Sequence, residues 1–112
     1  MENQKITFVS KEKILEMLEN KEPFTLVEVL SEESFKKGHI PHAINIPADH
    51  IEEKVLEILP DKGMLIVVYC SSFTCTASTG AAKTLQSLGY ANVLDYKGGK
   101  KDWQAADLPL VT

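Results

Sequence analysis

MLIVVYCSSFTCTAS, residues 64–78, decides the fold. Its first half is the most continuously apolar run of the chain and is rich in β-branched residues. A run that is apolar on both alternating sides fits a strand buried on both faces, which places it centrally in a parallel sheet. The run ends on Cys70 and passes into a loop of small polar residues that holds Cys75. A helix is expected to follow from about Thr79 to Leu88, closed by Gly89.

Outward from this strand, short apolar runs alternate with helical patterns, as in a sheet covered by helices. ITFVS (6–10) reads as a short strand. Ser10 then caps a helix over Lys11–Glu19, with Ile14, Leu15 and Leu18 on one face. FTLVEVL (24–30) reads as a strand, Ser31 as the cap of a short helix through Lys37, and Gly38 as its stop. HIPHAINIP gives a turn and a strand at about Ala43–Ile46. A helix over roughly Asp49–Leu59 and a last strand, NVLDY, complete the set, and no repeat or linker interrupts it. The expected fold is α/β, a central parallel sheet of about five strands with helices on both faces, in one domain over residues 1–112.

Composition narrows the chemistry. The net charge is −4, which argues against nucleic acid as the partner, and all 12 basic residues are Lys. With no Arg, an anion must be held by backbone amides, hydroxyls or ammonium groups rather than by a planar two-pronged fork. MENQKITFVSKEK at the start has scattered charges and no apolar core, so no signal peptide is expected. No segment approaches the length of a membrane span, and a soluble cytoplasmic protein is expected. There, two cysteines read as reactive thiols or ligands rather than as a disulfide framework.

In open α/β sheets ligands gather beyond the carboxyl ends of the strands, where loops lead into helix N-termini. Cys70 lies at that position. Loop amides and the positive end of a helix dipole there favour a thiolate and any anion it meets. Ser71, Ser72, Phe73, Thr74, Thr76, Ala77 and Ser78 form the candidate substrate-binding loop, mostly small enough to curl around a ligand.

Three segments, in order, resemble the single-domain rhodaneses, a sulfurtransferase family. FTLVEVLSEESFKKGHIPHAINIP is similar to the family's strand, helix and Gly-His-Ile-Pro segment. VVYC is similar to its strand ending on the catalytic Cys, and LGYANVLDYKGGKKDW with DLPL to its last strand, Gly-Gly turn, Trp helix and tail. The resemblance implies that Cys70 takes sulfane sulfur from a small donor as a persulfide and passes it to a thiol or other nucleophile, on a small molecule or a protein. It implies no metal and no organic cofactor. Two Cys with no nearby His also fall short of four metal ligands within one chain.

The chain departs from the family's pattern in three places. Glu28-Val29-Leu30 stands where Asp-Val-Arg is usual. The loop runs from Cys70 to Ala77, two residues longer than the usual one if Ser78 is matched to the Ser at the family's helix start, and Ala77 takes the place of its final Arg. A longer loop is similar to that of the family's phosphatase and arsenate reductase relatives. Without Arg, however, phosphate and arsenate chemistry loses its transition-state clamp, and thiosulfate loses its fork.

Cys75, five positions beyond Cys70, has two readings. It is a candidate resolving thiol that displaces sulfur from Cys70 to leave a disulfide, or a small apolar filler beneath the loop. Function therefore divides among a sulfurtransferase or sulfur carrier using Cys70, a thiol-disulfide or persulfide reductase using both thiols, and a binding or regulatory module without turnover. The other chemistry-bearing residues read as structural. His39 orders the GHIP turn, His50 lies on the surface at a helix start, Trp103 anchors the core, and Gly98-Gly99 makes a tight turn. Lys97, Lys100 and Lys101 read as a solvated basic face. Phe73, an aromatic in a small polar loop, covers the sulfur site or meets a partner.

Overall fold

The computed structural model describes residues 5–112. Residues 1–4, where the stretch expected to lack a signal peptide begins, lie outside the described residues. In chain order the elements are β1 (Thr7–Phe8), α1 (Lys11–Glu19), β2 (Thr25–Glu28), α2 (Glu32–Lys37), β3 (Ile44–Asn45), a 3-10 turn (Ala48–His50), α3 (Ile51–Ile58), β4 (Leu65–Tyr69), α4 (Ala77–Ser87), β5 (Asn92–Tyr96) and α5 (Gly99–Ala105). The strands form one sheet in the order β1-β5-β4-β2-β3, every pairing parallel. As its apolar run predicts, β4 is central, and Ile66, Val67 and Val68 are fully buried. Burying each such side chain contributes about 1.5–3 kcal/mol.

Side-chain alternation along β4 assigns the two layers. Ile66, Val68 and Cys70 face one layer with Val55 of α3 and Ala81 and Leu85 of α4. Val67 and Tyr69 face the other with Ile14 and Met17 of α1 and Trp103 of α5. Cys70 and Tyr69 are thus adjacent in sequence and on opposite faces of the sheet.

Local chemistry sets the helix starts. Ser10 Oγ accepts the Lys13 amide at 3.2 Å, and Ser31 Oγ accepts the Ser34 amide at 3.2 Å. Both caps lie where the sequence puts them. The edge strands are shorter than expected, β1 covering Thr7–Phe8 and β3 Ile44–Asn45, because each pairs on one side only. The helix expected from Asp49 opens instead as the 3-10 turn at Ala48. α4 starts at Ala77, two residues earlier than expected, and this draws Ser78 into its first turn. Among the described residues, no helix is long and apolar enough to cross a membrane.

Candidate active site

β4 delivers Cys70 to the carboxyl end of the central strand, and the loop from Ser71 to Thr76 arches from there to the first turn of α4. Cys70 is fully buried, Cys75 is half-buried, and both are free thiols. Their sulfurs lie within hydrogen-bonding reach of each other, and Cys70 Sγ is 3.6 Å from the Cys75 carbonyl oxygen. The structure thus brings together the two thiols that the sequence only places near one another.

The loop amides are divided between the sulfurs. The Ser78 amide and hydroxyl lie against Cys70, and Ser78 Oγ is buried with no hydrogen-bond partner among the described residues. The amides of Ser71 and Ala77 and the Ser71 hydroxyl point at Cys75. Burial pushes the Cys70 thiol up, and the hydrogen bond it shares with Cys75 pushes it further, against the opposing pull of Ser78. At Cys75 burial also works upward, but the hydrogen bonds from Cys70, Ser71 and Ala77 outweigh it and bring the thiol down to about 7. The sequence assigns the favoured thiolate to Cys70. In the folded loop Cys75 takes that role, because Cys70 is the deeper sulfur, with its S–H directed to the Cys75 carbonyl, while hydrogen bonds gather on the Cys75 sulfur.

The remaining loop residues serve its shape or face outward. Ser72 Oγ and Thr74 Oγ1 are 3.1 Å apart, and the Ser72 carbonyl accepts the Cys75 amide at 3.0 Å. Thr76 is exposed. Phe73 is 63 % exposed. With Phe8, Tyr96 and Lys97 it borders a groove of about 610 Å³ on the side of the loop toward β1.

From beneath, the loop is held by the start of α5. The Lys100 amide donates to the Cys70 carbonyl at 3.1 Å, and the Lys101 amide to the Ser71 carbonyl at 2.8 Å. Gly99 adopts φ +65°, and a Cβ there would collide with the Cys70 carbonyl. The tight turn read from Gly98-Gly99 is therefore the point where the two segments touch.

The reading of Lys97, Lys100 and Lys101 as a solvated face is corrected for two of the three. Only Lys101 is exposed. Lys97 Nζ donates to the Cys75 carbonyl at 2.5 Å. Lys100 Nζ runs inward to Glu28 Oε2 at 2.9 Å and donates to the Ser34 and Gly38 carbonyls at 3.0 and 2.7 Å. The other Glu28 oxygen accepts the Tyr69 hydroxyl at 2.8 Å, and that hydroxyl in turn accepts the Ile40 amide at 3.1 Å. Burial and the Glu28 charge both raise the Tyr69 hydroxyl above its ordinary range, so it stays protonated as the donor. A signal for this network exists in the sequence, since Glu28 interrupts the apolar strand FTLVEVL, and a buried acid demands a partner.

His39 and His50 take their expected structural places. His39 Nδ1 donates to the Phe35 carbonyl at 2.9 Å, its ring stacks on Phe35 at 3.7 Å, and His39 pairs with Val111 of the tail. His50 is exposed beside Glu53. Trp103 is buried and donates its indole N–H to the Pro109 carbonyl at 3.0 Å.

A thiol pair at the carboxyl end of a central parallel strand, under an amide-lined loop that leads into a helix, makes a cysteine-centred α/β site. The family model for the Rhodanese-like domain matches residues 10–106, and the chain belongs to that family. It is 34% identical over 77 residues to the thiosulfate sulfurtransferase PspE of Escherichia coli K12, covering 68% of this chain and 70% of that protein. With a sulfurtransferase of Allochromatium vinosum it shares 30% identity over 103 residues, 92% of each chain. An HTH-type transcriptional regulator of Mycobacterium tuberculosis is 34% identical over 86 residues, 77% of this chain, and the match spans only 37% of the regulator. Among solved structures, the rhodanese-like domain of the Alr3790 protein from Anabaena superposes with a TM-score of 0.83 at 26% identity, over 96% of this chain and 80% of that one.

Proposed function

We propose that the chain is a sulfurtransferase or sulfur carrier in which Cys70 accepts a sulfane sulfur as a persulfide and passes it to a thiol. With a persulfide donor the balance is simple. The Cys70 thiolate attacks the outer sulfur of R–S–SH, the donor S–S bond breaks, and RS⁻ leaves with the electron pair. An acceptor thiolate then attacks the outer sulfur of Cys70–S–SH, and the Cys70 thiolate is regenerated. No net oxidation occurs in the cycle.

The observation that carries this reading is the setting of Cys70. Its sulfur lies at the end of the central strand against the amide and the buried hydroxyl of Ser78, at the N-terminus of α4. These donors oppose the burial that raises the Cys70 thiol, and they stabilise the negative charge of the attacking sulfur and of the persulfide it forms. The sulfurtransferase of A. vinosum, matched over nearly its whole length, supports the same chemistry. The absence of Arg favours a low-molecular-weight persulfide over thiosulfate, a dianion whose sulfonate end would lack a guanidinium partner.

Steady-state transfer from glutathione persulfide or thiosulfate to dithiothreitol tests the reading. Wild-type protein is expected to turn over with the persulfide at least tenfold faster than with thiosulfate, and Cys70→Ser to lose transfer with both. Full transfer by Cys70→Ser would overturn the assignment.

A further inference from the structure

We propose that Cys75 is a resolving thiol, so that a sulfur-loaded Cys70 acts as a persulfide reductase that releases hydrosulfide and leaves a Cys70–Cys75 disulfide. The inference rests on the reading of Cys70 as the sulfur acceptor.

It is carried by what fills the loop. The Ser71 and Ala77 amides and the Ser71 hydroxyl converge on the sulfur of Cys75. That sulfur also shares a hydrogen bond with Cys70 Sγ. The chain therefore places a second sulfur of its own in the loop, in contact with the first. A small apolar filler would not need three polar donors.

The backbone fixes this arrangement from both sides. Lys97 Nζ grips the Cys75 carbonyl at 2.5 Å, and the Cys75 amide is held by the Ser72 carbonyl at 3.0 Å. Pinned at its N–H and its C=O, Cys75 keeps its side chain over Cys70. Its thiol titrates at about 7, so a large share is thiolate at neutral pH, close to the optimum for attack on a disulfide-like bond.

The step balances as follows. The Cys75 thiolate attacks Cys70 Sγ, the inner sulfur of Cys70–S–SH. The bond between Sγ and the outer sulfur breaks, and HS⁻ leaves with the electron pair. The sulfane sulfur is reduced to sulfide while the two thiols are oxidised to a disulfide. An external dithiol reopens that disulfide by exchange and supplies the two electrons for each turnover.

The test treats fully reduced protein with glutathione persulfide, without added dithiol, and reads intact mass and sulfide release. Wild type is expected to lose two hydrogens and release one sulfide per chain. Cys75→Ser, which is nearly isosteric, is expected to retain one added sulfur atom and release none, and dithiothreitol should restore the wild-type starting mass. Wild type holding its added sulfur as stably as Cys75→Ser would overturn the resolving role while leaving Cys70 as acceptor. No sulfur on Cys75→Ser and no sulfide from wild type would instead bring down the Cys70 reading itself.

Discussion

The ammonium of Lys100 meets the buried carboxylate of Glu28 at 2.9 Å, and the backbone amide of the same lysine holds the carbonyl of Cys70 at 3.1 Å. One residue thus ties the floor of the active loop to the neighbouring strand β2. Glu28 is fully buried, and the Lys100 side chain is 14% exposed. Breaking a buried pair from one side leaves an uncompensated charge, at a cost of about 3–5 kcal/mol.

Lys100→Met is therefore expected to destabilise the protein by about 3 kcal/mol, and the double variant Glu28→Gln/Lys100→Met to recover most of that loss. Denaturant unfolding of the two singles and the double checks it. Additive losses would show that the two side chains do not act as a pair.

Gly99→Ala introduces a methyl group where φ is +65° and the Cys70 carbonyl is in the way. A loss of at least about 2 kcal/mol is expected from the backbone strain and the clash together. Thermal unfolding measures the loss, and sulfur loading of the folded fraction should fall with it, since the loop floor must shift. Unchanged stability would mean that α5 does not press on the loop as described.

Ser78→Ala removes a buried hydroxyl that lies against the Cys70 sulfur and has no hydrogen-bond partner among the described residues. Stability should change by less than about 1 kcal/mol, because no established hydrogen bond is lost. The rate of sulfur loading should fall about tenfold or more, as for loss of one donor to a developing anion. Stopped-flow loading with glutathione persulfide separates the two effects, and an unchanged rate would remove Ser78 from the site.

The sequence shows which parts of this arrangement are local. Ser10 and Ser31 announce their helices because a cap needs only residues three positions away, and the buried run at 65–69 announces its own place in the sheet. The early start of α4 is hidden because Thr76, Ala77 and Ser78 suit loop and helix equally. The Lys100–Glu28 pair is hidden for a different reason: parallel crossovers bring β2 and α5 together, and nothing near Lys100 in the chain shows which way its side chain turns. The unusual residues Cys75 and Glu28 are visible from the start, and Cys70 is offered there as a partner for Cys75, while the partners of Glu28 emerge only from the fold.

The split between the two thiols gives a pH signature. The Cys75 thiol is lowered from 9.0 to about 7, so alkylation of Cys75 by iodoacetamide should rise with pH about a midpoint near 7. Cys70, raised by burial, should react only in more alkaline solution. The linkage signs are opposite. The lowered Cys75 contributes stability that is present above its ordinary value and lost as pH falls through about 7. The raised Cys70 contributes stability present below its ordinary value and lost as pH rises through its folded one. Cys70→Ala removes the shared hydrogen bond and should move the Cys75 midpoint upward. A midpoint that stays near the ordinary thiol value in wild type would contradict the paired geometry.

The most direct measurement of the central claim uses Cys75→Ser, in which Cys70 is the one remaining thiol. Reduced variant is exposed to glutathione persulfide, alkylated and weighed, beside Cys70→Ser treated in the same way. The account predicts one added sulfur beneath the alkyl group on Cys75→Ser and none on Cys70→Ser. Sulfur carried by Cys70→Ser and refused by Cys75→Ser would make Cys75 the acceptor and contradict it.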